Sequence, residues 1–354
     1  MKQNTQCEKP IEIEVLTFTD MQAKWLESSA IEMARAGGPQ SAGSTSIAGC
    51  CAACIEANFT AQQAHACHLY ARGGLSALVF QGLLAPTDDV PPTTLPSLHE
   101  LEEDFHCMHL ASRNQILLKL VQHTAFAYDI DNKGKIVRLV GNFKGGGKEK
   151  LSHEDCAQRI ELSSHAGLRL GPHTEAPYHC SINAVNGHSP APSALILTAR
   201  WNPENQPTCV IPAGQVISKI GALSALALTS NSFNYSRSDS FITEKGEDGV
   251  DVSILCFDEN GSFALRYNAY RFSLNERASD SVKVAFSRFR EEIEHAEMLK
   301  ISLQPTTALL INNCRALHCR DVIEDNRRLL VRLFGYSRFA TPIVLNNDPL
   351  LVQG

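Results

Sequence analysis

The chain lacks any apolar run approaching the roughly 20 residues needed to cross a bilayer. Its opening, MKQNTQCEKPIEIEV, also lacks the apolar core of a signal peptide. Both absences predict a cytoplasmic protein with no membrane partner. Positive charge is not in excess: 32 lysines and arginines stand against 38 acids, a formal net charge of −6. Nothing electrostatic therefore draws nucleic acid as the main partner. The twelve cysteines are diluted over 354 residues and read as free thiols, not as a disulfide framework. Cys51 and Cys54 have C-x2-C spacing, yet no second C-x2-C or H-x3-H follows to complete a zinc site. Their segment, IAGCCAACIEANFTAQQAHACHLYARGG, reads as an alanine-rich helix in which cysteine is a small apolar residue. Internal repeats and linkers are absent too, which predicts one domain over 1–354.

With 44% hydrophobic residues the chain can bury a large core. Residues 1–125 read as a mostly helical layer: Trp25, Leu26, Ala30 and Met33 follow helical spacing up to the Gly37–Gly38 stop, and a helical pattern resumes over Ser97–His123. LSALVFQGLL, between them, reads as a buried strand. From 125 to 340 the chain becomes short strands: AFAYDI, GKIVRLV, SALILTAR, VDVSILCF, SFALRYNAYRF, TTALLIN and RRLLVRLFGY. Strands at this density predict a sandwich or barrel. Two helices interrupt them, one near Gly214–Leu228 and one over Asp280–Lys300 with an apolar stripe from Val282 to Ala296. Between these, the polar excursion 229–249 is long for a compact domain and suits a lid.

The chemistry concentrates in LGPHTEAPYH. His173 and Glu175 stand two apart, so on an extended segment they share a face. Such a pair is a surface ion pair, a hydrogen-bonded core pair, or two ligands of one metal. A third ligand is on offer at His318, beyond the strand that ends at Asn312–Asn313. Two imidazoles and one carboxylate on one face leave three adjacent positions of an ion open, which suits non-haem Fe(II) and oxygen chemistry, with zinc as the competing metal. Arg332 lies inside an apolar run and is costly to bury without an anion. It either holds a carboxylate bidentately or points outward; alternation alone leaves both open.

Four segments in order resemble the clavaminate synthase-like Fe(II)/2-oxoglutarate-dependent oxygenases, the group of the amino-acid hydroxylases. They are SSHAGLRLGPHTEAPYH, TARWNPENQPTCV, LLINNCRALHCR and RRLLVRLF, within roughly residues 70–340. The resemblance implies a mainly β fold, a double-stranded β-helix (jelly roll, cupin-like) with N-terminal and inserted helices. It implies Fe(II), 2-oxoglutarate and O2 as cofactor and cosubstrates, with His173, Glu175 and His318 as iron ligands. Arg332, fourteen residues after His318, and Thr208 would hold the distal carboxylate of 2-oxoglutarate. Ser163 would contact the head group of the substrate, an amino acid or derivative, free or tethered to a carrier protein. The reaction implied is hydroxylation of an unactivated C–H bond, with desaturation or cyclisation as alternatives; a non-catalytic jelly-roll binding module and a zinc hydrolase are the readings from other classes.

The departures fall on the substrate. Asn268 and Tyr270 stand where relatives with the pattern LRFDxD place acids, and Tyr336 stands where some hydroxylases have a second arginine. An amide and a phenol cannot neutralise a buried cation, which predicts a substrate side chain that is neutral or acidic.

Overall fold

The computed structural model describes residues 12–86, 89–144, 165, 167–179, 182–242, 246–258 and 261–354. Its main sheet runs in the order β1 (Ile13–Thr17), β2 (Ala77–Gln81), β14 (Ala308–Asn312), β6 (Ala194–Trp201), β16 (Leu329–Ser337), β3 (His123–Tyr128), β18 (Leu350–Val352) and β17 (Val344–Asn347). A further strand, β4 (Arg138–Gly141), pairs with the first half of β16. A smaller antiparallel sheet runs β13 (Leu299–Ile301), β7 (Thr208–Pro212), β15 (Ala316–Arg320) and β5 (Leu170–His173). The strands β12 (Phe272–Leu274), β8 (Phe233–Tyr235) and β9 (Gly249–Val252) form a third sheet, and β10 (Leu255–Phe257) and β11 (Phe263–Leu265) form a hairpin.

The helices are α1 (Asp20–Arg35), α2 (Ser44–Glu56), α3 (Ala61–Ala71), α4 (Leu98–Glu102), α5 (Phe105–Leu120), α6 (Ala213–Ile220), α7 (Ala222–Ala227) and α8 (Asp280–Glu294). Their breaks follow local chemistry. Thr60 accepts from the backbone of Gln63, and the Gln63 side chain accepts from the backbone of Thr60. This capping box starts α3 afresh, so the alanine- and cysteine-rich segment is two helices, not one. Asp104 caps α5 with its carboxylate alone, accepting from the backbone N–H groups of His106 and Cys107, and divides the expected 97–123 helix. Gly221, at φ +78°, separates α6 from α7. The expected 280–300 helix stops at Glu294, and its last residues join β13. Nor is the N-terminal layer all helix, because β1 and β2 pair in parallel and extend the edge of the main sheet.

Strand alternation sorts the side chains into layers. On β16, Leu329, Val331 and Leu333 pack under the N-terminal helices, whereas Leu330, Phe334 and Tyr336 face a core shared by the two larger sheets. Val210 and Ala316 of the smaller sheet enter that same core. The outer face of the smaller sheet, with Ile211 and Leu317, packs on α6, α7 and α8. Arg332 has the parity of Leu330 and Phe334, and it is 6% exposed. Its side chain therefore points inward, between the sheets.

Candidate metal centre

The register of the smaller sheet sets His318 of β15 directly opposite His173 of β5. Their ring centroids are 4.1 Å apart. Just past β5 the backbone N–H of Glu175 donates to the side-chain carbonyl of Asn313 at 2.7 Å, and the Asn313 amide donates to the Pro192 carbonyl at 3.0 Å. Asn313 is 2% exposed, so it fixes where Glu175 leaves the strand. One donor atom each from His173, Glu175 and His318 lies within 4.8 Å of the others. Ligands about 2.1 Å from one ion and cis to each other sit about 3 Å apart, a separation that small side-chain rotations reach. Among the described residues no other such cluster of three occurs, the Cys50–Cys67 region included.

The protonation states suit ligation. The Nδ1 of His173 shares a hydrogen with the Gly171 carbonyl at 2.8 Å, which leaves Nε2 for a metal. Burial, and then the neighbouring His318 ring, push the His173 imidazole down to about 3. Burial alone would raise the Glu175 carboxyl, but the Arg332 guanidinium and the His318 imidazole hold it well below the usual carboxylate range. At neutral pH the pair thus presents a neutral imidazole and a carboxylate, the forms a divalent cation needs. The donor set, its geometry and its protonation all fit a facially bound iron(II) ion.

The cluster lines a cavity with about 860 Å³ of empty space, the open solvent at its mouth included. Arg332 donates to Glu175 at 2.8 Å, stacks over Phe334 at 4.0 Å and lies 4.0 Å from Asp131. Asp131 is in turn held by Arg138, which donates to both carboxylate oxygens at 2.7 and 2.8 Å. Burial lowers the Arg332 guanidinium, and Glu175 partly offsets that. Thr208 does not meet Arg332: its hydroxyl accepts from Arg328 at 3.2 Å. Arg328 is 1% exposed, and its Nε and one Nη have no partner among the described residues. Burial and the adjacent Arg320 bring its guanidinium down to about 9. Arg328, Thr208 and Arg332 all line the cavity.

The remaining expected residues divide. Asn268 forms an isolated bridge with His173 and lines the cavity. Tyr270 does not: its ring lies against Gly171, where an added Cβ would come within 2.7 Å of the ring. The cause is a turn at 268–271, with the N–H groups of Arg271 and Phe272 both donating to the Asn268 carbonyl. That turn breaks the expected strand, directs Tyr270 away and brings Arg271 into the cavity wall. Tyr336 is core: its hydroxyl donates to the Pro190 carbonyl at 2.5 Å, and its ring stacks on Phe126. Ser163 lies outside the described residues. The lid expected at 229–249 supplies Ser238, Ser240 and Phe241 to the cavity wall, while Thr243, Glu244 and Lys245 lie outside the described residues.

Asn313, Asp131, Arg138 and Arg271 carried no assigned role in the sequence. Arg328 entered there, with Arg338, only as a substitute anchor for the 2-oxoglutarate carboxylate should Arg332 not serve.

No protein-family model matches the chain, and no curated protein matches it in sequence. Solved structures do match in fold. The asparagine oxygenase in complex with Fe(II), 2S,3S-3-hydroxyasparagine and succinate aligns with a TM-score of 0.68 at 16% identity, over 90% of this chain and 92% of that one. The non-heme iron oxygenase OrfP in complex with Fe, succinate and (3S)-hydroxy-L-Arg aligns with a TM-score of 0.67 at 16% identity, over 90% and 93%. OrfP with Fe and L-Arg aligns at 0.62 and 17% identity, over 90% and 93%. The chain therefore has the fold of these non-heme iron oxygenases, along nearly the whole of their length.

Proposed function

We propose that the protein is an Fe(II)- and 2-oxoglutarate-dependent oxygenase that hydroxylates a C–H bond of an amino acid or amino-acid derivative. One observation carries the reading: the His173, Glu175 and His318 cluster shares its cavity with Arg328, a buried guanidinium that has a threonine hydroxyl but, among the described residues, no carboxylate. A chelating keto acid with a second carboxylate answers both features at once. The neighbours in fold support this, since they carry iron with succinate and a hydroxylated arginine or asparagine. The core shared by two facing sheets supports a double-stranded β-helix, and the main sheet draws strands from Ile13 to Val352, which supports a single domain.

Bound by the three ligands, iron(II) with 2-oxoglutarate and O2 supplies the oxidation of a C–H bond, the keto acid leaving as succinate and CO2. The chain's own residues do the rest. Arg328 and Thr208 hold the distal carboxylate by charge-assisted hydrogen bonding. Arg332 fixes the Glu175 carboxylate and presents its remaining N–H groups beside the ligands. Leu195, Leu197, Leu330 and Phe334 keep that end of the cavity apolar, which strengthens each charged contact. The lid residues Ser238, Ser240 and Phe241 cover the substrate side. The substrate is a small molecule of amino-acid type, free or carrier-tethered.

The test is an anaerobic titration with Fe(II) and then 2-oxoglutarate, followed by admission of O2 with a panel of amino acids. The expected result is a visible charge-transfer band that needs both additions, and a product heavier by one oxygen atom. Absence of the band together with absence of succinate would overturn the reading, and zinc-dependent hydrolysis in its place would identify the competing metal.

A further inference from the structure

Tyr178 follows Glu175 by three residues and lines the metal cavity, with no part in ligation or in the anion site at Arg328. It is 3% exposed, and its ring is held edge-on by Tyr235 at 5.0 Å and by Phe272 at 5.2 Å between centroids. Its backbone carbonyl accepts from Arg266 at 2.8 Å, so ring and backbone are both fixed. The phenol oxygen has one hydrogen-bonding neighbour among the described residues, the side chain of Asn268. The direction of that bond follows from the other end of the amide. The Oδ1 of Asn268 accepts from the Tyr270 N–H at 2.9 Å, which turns the NH2 group towards the phenol. The bond also opposes the rise that burial imposes on the phenol, as donation to its oxygen does. Asn268 therefore donates and Tyr178 accepts. Burial keeps the phenol protonated at neutral pH, and its own hydrogen has no acceptor among the described residues.

We infer that Tyr178 is a substrate-binding residue whose hydroxyl donates to an oxygen of the substrate side chain, an amide carbonyl or a carboxylate. This rests on the oxygenase reading above and narrows its substrate to amino acids whose side chain offers such an oxygen. A side chain without one leaves the donor unpaired in a buried wall, and a site built on such a donor rejects that side chain. An ammonium or guanidinium group has only donors to offer, and the phenol oxygen already accepts from Asn268. The competing role for Tyr178 is packing: the ring closes the wall between Tyr235 and Phe272, and the hydroxyl serves only to hold Asn268.

The experiment separates these roles by a ratio. Asparagine, aspartate, glutamine, glutamate, leucine, methionine, arginine and lysine are titrated into the anaerobic Fe(II) and 2-oxoglutarate complex, read by the change in its charge-transfer band and by calorimetry. The band before any amino acid is added reports on the oxygenase reading alone; calorimetry on the metal-free protein reads the side-chain preference even if no band forms. Leucine matches asparagine and aspartate in shape, and methionine matches glutamine and glutamate, without the oxygen. An oxygen-bearing side chain is expected to bind about tenfold or more tightly than its apolar match. Tyr178→Phe keeps the ring and should lower that ratio about fivefold or more, with binding of the apolar match unchanged. An equal loss for both members of the pair in Tyr178→Phe is the signature of packing and would overturn the inference. So would a wild-type preference for an apolar or cationic side chain, or failure of every amino acid to bind. If Tyr178→Phe does not fold, a crystal structure of the wild-type protein with its tightest amino acid decides. A side-chain oxygen about 3 Å from the Tyr178 hydroxyl supports the assignment, and a hydroxyl bonded to a protein group or a water instead overturns it.

Discussion

Arg328 and Arg332 stand four residues apart with the same parity, hence about 13 Å apart along an extended chain. The Thr208 hydroxyl can serve one of them, and it meets Arg328. On the proposed reading the two guanidiniums take different anions: Arg332 is already on Glu175, while Arg328 has no carboxylate among the described residues. Replacing Arg328 with methionine keeps the bulk and removes the charge. It should raise the 2-oxoglutarate requirement tenfold or more, since a hydrogen bond to a charged group is worth about 1.5–3 kcal/mol. Iron binding should change little, whereas Arg332→Met should weaken iron by freeing Glu175. Titrations of iron and of 2-oxoglutarate, done separately on each variant, check both statements. If Arg332→Met alone raised the 2-oxoglutarate requirement, the anchor would return to the position expected from the sequence.

At the scale of elements, the site depends on β5 and β15 lying in register, and Gly171 is a tight point of that pairing. Two residues before His173, it accepts the hydrogen bond that orients the imidazole and gives Tyr270 its seat. Gly171→Ala should destabilise the fold by about 1–3 kcal/mol through overpacking. In a Tyr270→Ala background the same change should cost clearly less, and a denaturation double-mutant cycle measures the difference. Equal costs in the two backgrounds would mean that Tyr270 swings aside freely. The same turn marks the limit of what the sequence discloses. His173 and Glu175 were legible as a pair because three residues of chain hold them together, and Arg332 because an arginine in an apolar run has to be explained. Asn268 and Tyr270 were placed at the substrate by the resemblance, in a stretch expected to be one strand, which hydrogen bonds to the Asn268 carbonyl replace with a turn. The partnership of Thr208 with Arg328 depends on β7 lying beside β15, a pairing between residues over a hundred positions apart that no local pattern encodes.

For the molecule as a whole, the buried His123 and the half-buried His165 and His179 make stability depend on pH. Burial brings His123 down to about 4, and burial with nearby charged or titratable groups does the same for His165 and His179. In the unfolded chain each returns to about 6.5, so between those values the unfolded state binds more protons than the folded one. Stability then rises with pH: it is fully present above about pH 6.5 and is lost as pH falls towards 4. The depressed carboxyl of Asp348 acts in the same direction at lower pH, where its hydrogen bonds to Thr45 and Ser46 are lost on protonation. His123 is the cleanest of these groups, because it is 4% exposed in the core, beside Tyr70 and with its Nδ1 on the Val121 carbonyl. Its share is on the order of 3 kcal/mol across that window. Urea unfolding of the chelator-treated protein at pH 7.5 and pH 5.0 should show a clear drop in midpoint without a change in slope. His123→Asn should reduce the pH dependence by about one proton while leaving that of the other groups in place. A midpoint equally sensitive to pH in that variant would mean that His123 finds its proton without unfolding, through an opening of the helix and sheet layers around it.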